Sequence, residues 1–432
     1  MIESKSFCTR RAAATTLLGA LCGWSTAKGQ SSLTNYDESK VGTYTLPDPL
    51  ILANGERVRD AQTWMKRRRP EIFRSFEENV YGRTPHGGTK AVRFEPFDLD
   101  KSALGGKAIR KQISISFSHK KDGPKADLLL YLPAAGPKPT PVFLGLNFAG
   151  NHAVSTDPGI RLPEVWNIKT KTKHRAAESS RGVAAHRWQV EKILDHGYGL
   201  AVMYYCDIEP DFNGGLEYGI RPLFFKAGQT EPAPDDWGAI GAWSWGTSRA
   251  LDYLESEKDV DAKRVAVMGH SRLGKTALWT GAQDTRFAMV IANCPGEGGA
   301  SLSRRNYGET IANLTDHFPY WFCANYRKYA GHADQLPVDA HELIALSAPR
   351  PLYVTAAEED RWADPRGEFL AEVAASPVYE LLGKQGIDTR TMPPLHQPIM
   401  HTLGFHIRAG KHDVTAYDWD QFLKFADLRL RA

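Results

Sequence analysis

An α/β fold, with a mostly parallel central sheet covered by helices on both faces, is predicted by three observations in this 432-residue sequence. Five apolar runs are continuous rather than alternating, as strands buried on both faces are: PVFLGLNF (141–148), YGLAVMYY (198–205), RVAVMG (264–269), FAMVIAN (287–293) and PLYVTAA (351–357). Helical patterns separate them, as crossovers in a parallel sheet require. Two long polar stretches, roughly 153–186 and 210–236, interrupt this order and read as inserted loops of the kind that shape binding sites.

The chain opens MIESKSFCTRRAAATTLLGALCGWSTA, with a basic start, a short apolar run from Ala12 to Trp24 and small residues at 25–27. This is the layout of a cleaved export signal, and the run is too short to span a bilayer. Residues 1–27 are therefore assigned to export and 28–432 to a single catalytic domain. Thr9-Arg10-Arg11 suits the twin-arginine route, and a general secretory signal fits equally. No later segment reads as a membrane helix, so a periplasmic or extracellular monomer is expected. Three cysteines remain after the signal, Cys206, Cys294 and Cys323, so at least one is unpaired.

Of the net charge of +4, Lys5, Arg10 and Arg11 against Glu3 put +2 in the signal. The remainder shows no basic stripe interleaved with aromatics, which argues against nucleic acid. Next come a helix-like run, RDAQTWMKRRRPEIFRSFEENVYG (59–82), and two β patterns, ISISFS (113–118) and ADLLLYLP (126–133). AIGAWSWGTSRALDYL (239–254) reads as the helix before RVAVMG, and YDWDQFLKFADLRL (417–430) as a terminal helix.

GHSRLGKTALW (269–279) admits two parses. Gly269, Gly274, Lys275 and Thr276 satisfy the P-loop pattern, but the next strand ends Asn293-Cys294 and offers no acid for magnesium. Alternatively, Ser271 sits at a strand-to-helix turn, the nucleophile elbow of an α/β-hydrolase fold. A serine hydroxyl needs a histidine to take its proton and a carboxylate to orient that histidine, arriving in the order serine, acid, histidine. Ser271 after RVAVMG, Asp360 after PLYVTAAEE and His412 before the terminal helix supply that order. Leu273 stands where G-x-S-x-G wants its second glycine, so the motif alone is imperfect.

The elbow Gly269, Ser271, Arg272, Gly274, Lys275 resembles G-x-S-R-x-G-K of the glucuronoyl esterases, carbohydrate esterase family fifteen. The resemblance extends through NFAGNH (147–152), GYGLAVMYYCDIEPD (197–211), PGEGGASLSRRNYGE (295–309), DRW (360–362) and GKHD (410–413). It implies His412, rather than His401 or His406, as the base. Many members carry the acid as a glutamate at the position of Cys294; others use an aspartate two residues before a tryptophan, as Asp360 stands before Trp362. Asp360 is the expected acid, with Glu297 and Glu359 as alternatives and Cys294 as a small buried neighbour. The resemblance also implies an oxyanion hole at the Arg272 N–H, with its guanidinium as a further support and the NFAGN turn as a second wall. Lys275, Glu309 and Trp362 are the implied sugar contacts. The expected activity is cofactor- and metal-free hydrolysis of (4-O-methyl-)glucuronic acid esters that join glucuronoxylan to lignin. An acetyl or aryl polysaccharide esterase of the same fold, or a carbohydrate-binding relative impaired by Cys294, are the competing readings.

Overall fold

The strands run in chain order as β1 (Arg93–Ala103), β2 (Ala108–Ser116), β3 (Lys125–Pro133), β4 (Thr140–Asn147), β5 (Glu164–Asn167), β6 (Thr172–Arg175), β7 (Gly199–Tyr204), β8 (Val260–His270), β9 (Met289–Asn293), β10 (Leu352–Ala357), β11 (Ile399–Met400) and β12 (Leu403–Arg408). In this computed structural model, residues 34–85 and 89–431 are described, and the chain from Asn35 onward forms one unit. The export signal assigned to residues 1–27 lies outside the described residues. Among the described residues, no helix is long and apolar enough to cross a membrane.

All but β5 and β6 join one ten-stranded sheet, in the order β1-β2-β3-β7-β4-β8-β9-β10-β12-β11. Its middle, from β7 through β12, is parallel, and antiparallel strands finish both sides. Alternate side chains feed two cores. Val142, Leu144, Val265 and Val267 meet one helical layer, and Phe143, Ala266 and Met268 meet the other. Helices Ala239–Ser256, Arg272–Gln283 and Pro365–Leu381 contribute Leu251, Leu278 and Phe369 to the first core. Helix Ala416–Leu430 contributes Trp419 and Phe422 to the second. Continuous apolar strands are explained by this double covering.

The run at 59–82 becomes a helical turn Ala61–Thr63 capped by Asp60, a π-turn Trp64–Arg68, and a helix Arg69–Asn79 with Pro70 in its first turn. The helical backbone runs unbroken from Ala61 to Asn79, and the wider π-turn falls just before Pro70, whose ring and missing N–H do not fit a regular α-turn. The following Tyr81 stacks on Trp279 at 4.5 Å and fastens the segment beside the elbow helix.

Four strands departed from expectation: β1, β12 and the pair β5 and β6. β1 is an edge strand exposed along most of its length, so it lacks an apolar signature. β12 carries His406 and Arg408 into the interior, where Asp418 bonds both, at 2.9 and 2.8 Å. The β5–β6 hairpin lies within the first predicted loop; its residues are exposed or half-buried and show no alternation.

Candidate active site

Four consecutive parallel strands, β8, β9, β10 and β12, end at the same edge of the sheet. Their next residues or loops carry Ser271, Cys294, Asp360 and His412. The carboxyl edge is where successive βα loops converge, so residues remote in sequence meet there.

Ser271 has φ 59° and ψ −128°, outside the regions a non-glycine residue prefers. Such strain costs about 1–3 kcal/mol and persists only when the surroundings impose it. Here the Ser271 N–H donates to the Asn293 carbonyl at 2.9 Å, and helix Arg272–Gln283 begins at once. A Cβ at Gly269 would come within 1.9 Å of the Leu273 carbonyl oxygen, so the turn requires glycine there. The second close approach falls at Gly274, whose added Cβ would meet the Asn293 carbonyl oxygen at 3.2 Å. Leu273 is buried in the core. The displaced glycine thus follows from which residue of the first helical turn faces β9.

His412 Nδ1 and Asp360 Oδ2 are 2.5 Å apart, a charge-assisted bond that fixes the ring and its tautomer. The His412 ring lies 4.5 Å from that of His270, the residue before Ser271, which places the imidazole over the elbow. His270 is buried, and burial together with the neighbouring His412 and Arg187 holds its pKa well below the ordinary value. Neutral His270 donates Nδ1–H to Asn293 Oδ1 at 2.6 Å, and Asn293 Nδ2 donates to Thr355 Oγ1 at 2.6 Å. This chain ties β8, β9 and β10 together beneath the pair.

The two alternative acids have other surroundings. Glu359 is exposed. Glu297 is buried, accepting from Ser303 Oγ at 2.6 Å and Tyr326 OH at 2.9 Å. Burial pushes its carboxyl up to about 8. Below pH 4.5 folded and unfolded chains both hold this proton; between 4.5 and 8 only the folded chain does, so stability falls as pH rises through that window. Glu297→Gln should therefore melt like wild type near pH 4.5 and a few degrees above it at pH 8.5, a gap that thermal scans across pH would read.

Cys294 Sγ, an Asp360 carboxylate oxygen and a His412 ring nitrogen all lie within 4.8 Å of one another. Such a set could hold a thiophilic metal only with the thiol ionised. Burial, followed by the charges of Asp360 and Glu368, pushes the thiol well above its usual range, so with no metal bound it is protonated. Its place is that of a small, inert neighbour to the pair. Among the described residues Cys206, Cys294 and Cys323 are all free and buried.

Arg272 is the first residue of its helix, where N–H groups lack intrahelical acceptors and can face a developing oxyanion. Its guanidinium is gripped by Asp211 and lies 4.8 Å from the Trp321 ring and 5.7 Å from that of Phe148. Asp211 also accepts from Tyr205 OH at 2.8 Å, Tyr320 OH at 2.9 Å and Trp321 Nε1 at 2.7 Å. Sequence reasoning missed Asp211, although it closes the GYGLAVMYYCDIEPD run and follows a parallel strand. Asp211→Ala would strand a guanidinium and three donors, lowering stability by about 3–5 kcal/mol. A thermal melt and a parallel fall in kcat check this. In the NFAGN turn, Asn147 Oδ1 already accepts the N–H groups of Ala149 and Gly150, at 3.2 and 2.7 Å. The turn accordingly presents its Phe148 ring, edge-on to His270 at 6.2 Å, rather than those two donors.

Lys275 is 4% exposed, not a solvated helix lysine. Its Nζ donates to the Pro295 carbonyl at 2.8 Å and pairs with Glu309 Oε2 at 3.4 Å. Nearby, Arg304 pairs with Asp339 and Arg305 with Asp364. The Glu309 N–H donates to the Trp362 carbonyl at 2.8 Å, and Trp362 is half-buried two residues beyond Asp360. The three expected sugar contacts are thus contiguous with the His–Asp pair.

Sheet order, the strained serine and the imidazole–carboxylate pair at the carboxyl edge define an α/β-hydrolase. A family model described as "Glucuronyl esterase, fungi" matches residues 232–383. The chain is 51% identical to a carbohydrate esterase from an unknown prokaryotic organism, over 91% of either chain. It superposes on a glucuronoyl esterase from Solibacter usitatus with TM-score 0.88 and 57% identity, covering 90% of this chain and 99% of that one. A promiscuous esterase of carbohydrate esterase family fifteen, from a marine bacterial metagenome, gives TM-score 0.84 and 49% identity, covering 92% and 100%. The chain belongs to carbohydrate esterase family fifteen, the glucuronoyl esterases.

Proposed function

We propose that this chain is an exported serine esterase hydrolysing esters of (4-O-methyl-)glucuronic acid, with the glucuronoxylan–lignin ester as its natural target. Ser271 Oγ attacks the uronoyl carbonyl as His412 Nε2 takes its proton, and Asp360 stabilises the resulting imidazolium. The tetrahedral oxyanion is met by the Arg272 N–H, with the guanidinium adding fixed positive charge. The alcohol leaves with the proton from His412, giving an acyl-enzyme. Water, deprotonated by His412, then releases the free uronate and regenerates the serine.

The observation that carries the substrate assignment is the buried Lys275–Glu309 pair, one helical turn beyond the strained serine. A buried ion pair costs desolvation and is matched by a polyhydroxylated acyl group that needs donors and acceptors at fixed points. An acetyl ester would use neither group. The comparison is kcat/KM for methyl glucuronate against p-nitrophenyl acetate: the glucuronate ester should be favoured, and preferential turnover of the acetate would overturn the assignment.

A further inference from the structure

Residues Asn35–Glu38 cross the two loops that carry Glu309 and Trp362. The Gly308 N–H donates to the Asn35 carbonyl at 2.8 Å, and the Arg361 guanidinium donates to the Tyr36 carbonyl. Gly308 and Arg361 are the residues immediately before Glu309 and Trp362. The loops themselves come very close: a Cβ at Gly308, whose φ is +67°, would lie 2.4 Å from the Trp362 carbonyl oxygen. Farther along, Glu38 bridges Arg305 at 2.7 Å and Arg366 at 3.2 Å, one cation from either side. Arg305 is itself anchored by Asp364 at 2.8 Å.

The Tyr36 ring is half-buried, edge-on to Tyr307 at 6.1 Å, with the Arg361 guanidinium 5.2 Å from its centre. Arg361 Nε also donates to Tyr307 OH at 3.1 Å. Burial raises the phenol pKa and Arg361 draws it down, while Asp360 and Glu309 both add upward pressure, so both carboxylates are within electrostatic reach of the ring. The ring is thus held half-exposed against Tyr307 and Arg361, residues of the same two loops that carry Glu309 and Trp362.

We propose that Tyr36 is a specificity-determining wall of the uronate pocket, held by a strap, Asn35–Glu38, that fixes the spacing of the Glu309 and Trp362 loops. The inference rests on that pocket being a glucuronate site. Flat aromatic faces pack against the C–H face of a pyranose, and the half-exposed Tyr36 ring supplies one beside the Glu309 and Trp362 loops. An acyl group lacking a sugar ring would not reach it.

The test uses the full chain with Tyr36→Ala, Tyr36→Phe and Glu38→Gln, assayed on methyl glucuronate and on p-nitrophenyl acetate. Tyr36→Ala should raise KM for the glucuronate ester about tenfold with kcat changed less than about threefold, and leave acetate turnover near wild type. Tyr36→Phe keeps the ring and should restore the wild-type KM. Glu38→Gln, one step removed from the pocket, should shift KM in the same direction by a smaller factor. An unchanged KM in Tyr36→Ala, or a parallel loss on the acetate, would overturn the inference while leaving the function intact. Should Tyr36→Ala not fold, an unaltered KM in Glu38→Gln would overturn it. A wild-type chain that turns over the acetate but not the glucuronate ester removes the functional reading, and this inference with it.

Discussion

Ser271→Ala is expected to lower kcat on a glucuronate ester by about five to six orders of magnitude while leaving the fold intact. In the proposed mechanism the whole covalent route passes through this one hydroxyl, with no neighbouring group to replace it. The Cys294 thiol is held protonated by its burial, and His270 is bonded to Asn293. What survives in Ser271→Ala is binding and oxyanion stabilisation, whose residual catalysis over water is small beside the loss. A second substitution separates mechanism from stability. Ser271→Gly also removes the hydroxyl but adopts φ 59° freely, so it should melt above Ser271→Ala, by about 1 kcal/mol of stability. Burst-phase assay and thermal melts on the two variants give both readings. An Ala variant that retained wild-type turnover would remove Ser271 from the chemistry.

Five of the six parallel strands, β4, β7, β8, β9 and β10, were legible because strands covered on both faces are apolar along their length. The elbow was legible because its glycines answer steric demands within a few residues. What escaped the sequence is what depends on long-range compensation. β12 hides His406 and Arg408 behind Asp418, ten or more residues later, so its polar letters mask a buried parallel strand. Asp211 looks like one acid among several in CDIEPD; only folding shows that four donors from four sequence positions converge on it. Tyr36 lies in a segment of turn-forming letters, and its ring gains meaning only from Tyr307 and Arg361, about 270 and 325 residues away. The family resemblance pointed to Lys275 and Glu309, and their mutual burial is what the structure adds.

Asp360→Asn should cut kcat by about 10⁴. The amide would still fit, but it can donate as well as accept, and so loses both the hold on the Nδ1–H tautomer and the charge that balances the imidazolium. Cys294→Ala should be nearly silent, within about threefold, because a protonated thiol can neither orient nor balance the ring. The two positions are nonetheless neighbours in space, since Cys294 Sγ, an Asp360 carboxylate oxygen and a His412 ring nitrogen lie within 4.8 Å of one another. A carboxylate introduced from β9 can therefore approach the same nitrogen from the neighbouring strand. In an Asp360→Ala background, Cys294→Glu should recover kcat by about 10–100-fold over Asp360→Ala alone. With Asp360 retained, Cys294→Glu would set two carboxylates side by side, where they cannot both ionise. One would hold a proton to higher pH, shifting the acid limb of the kcat profile upward. A Cys294→Ala variant as inactive as Asp360→Asn, or a failed recovery together with a silent Asp360→Asn, would move the orienting role away from Asp360.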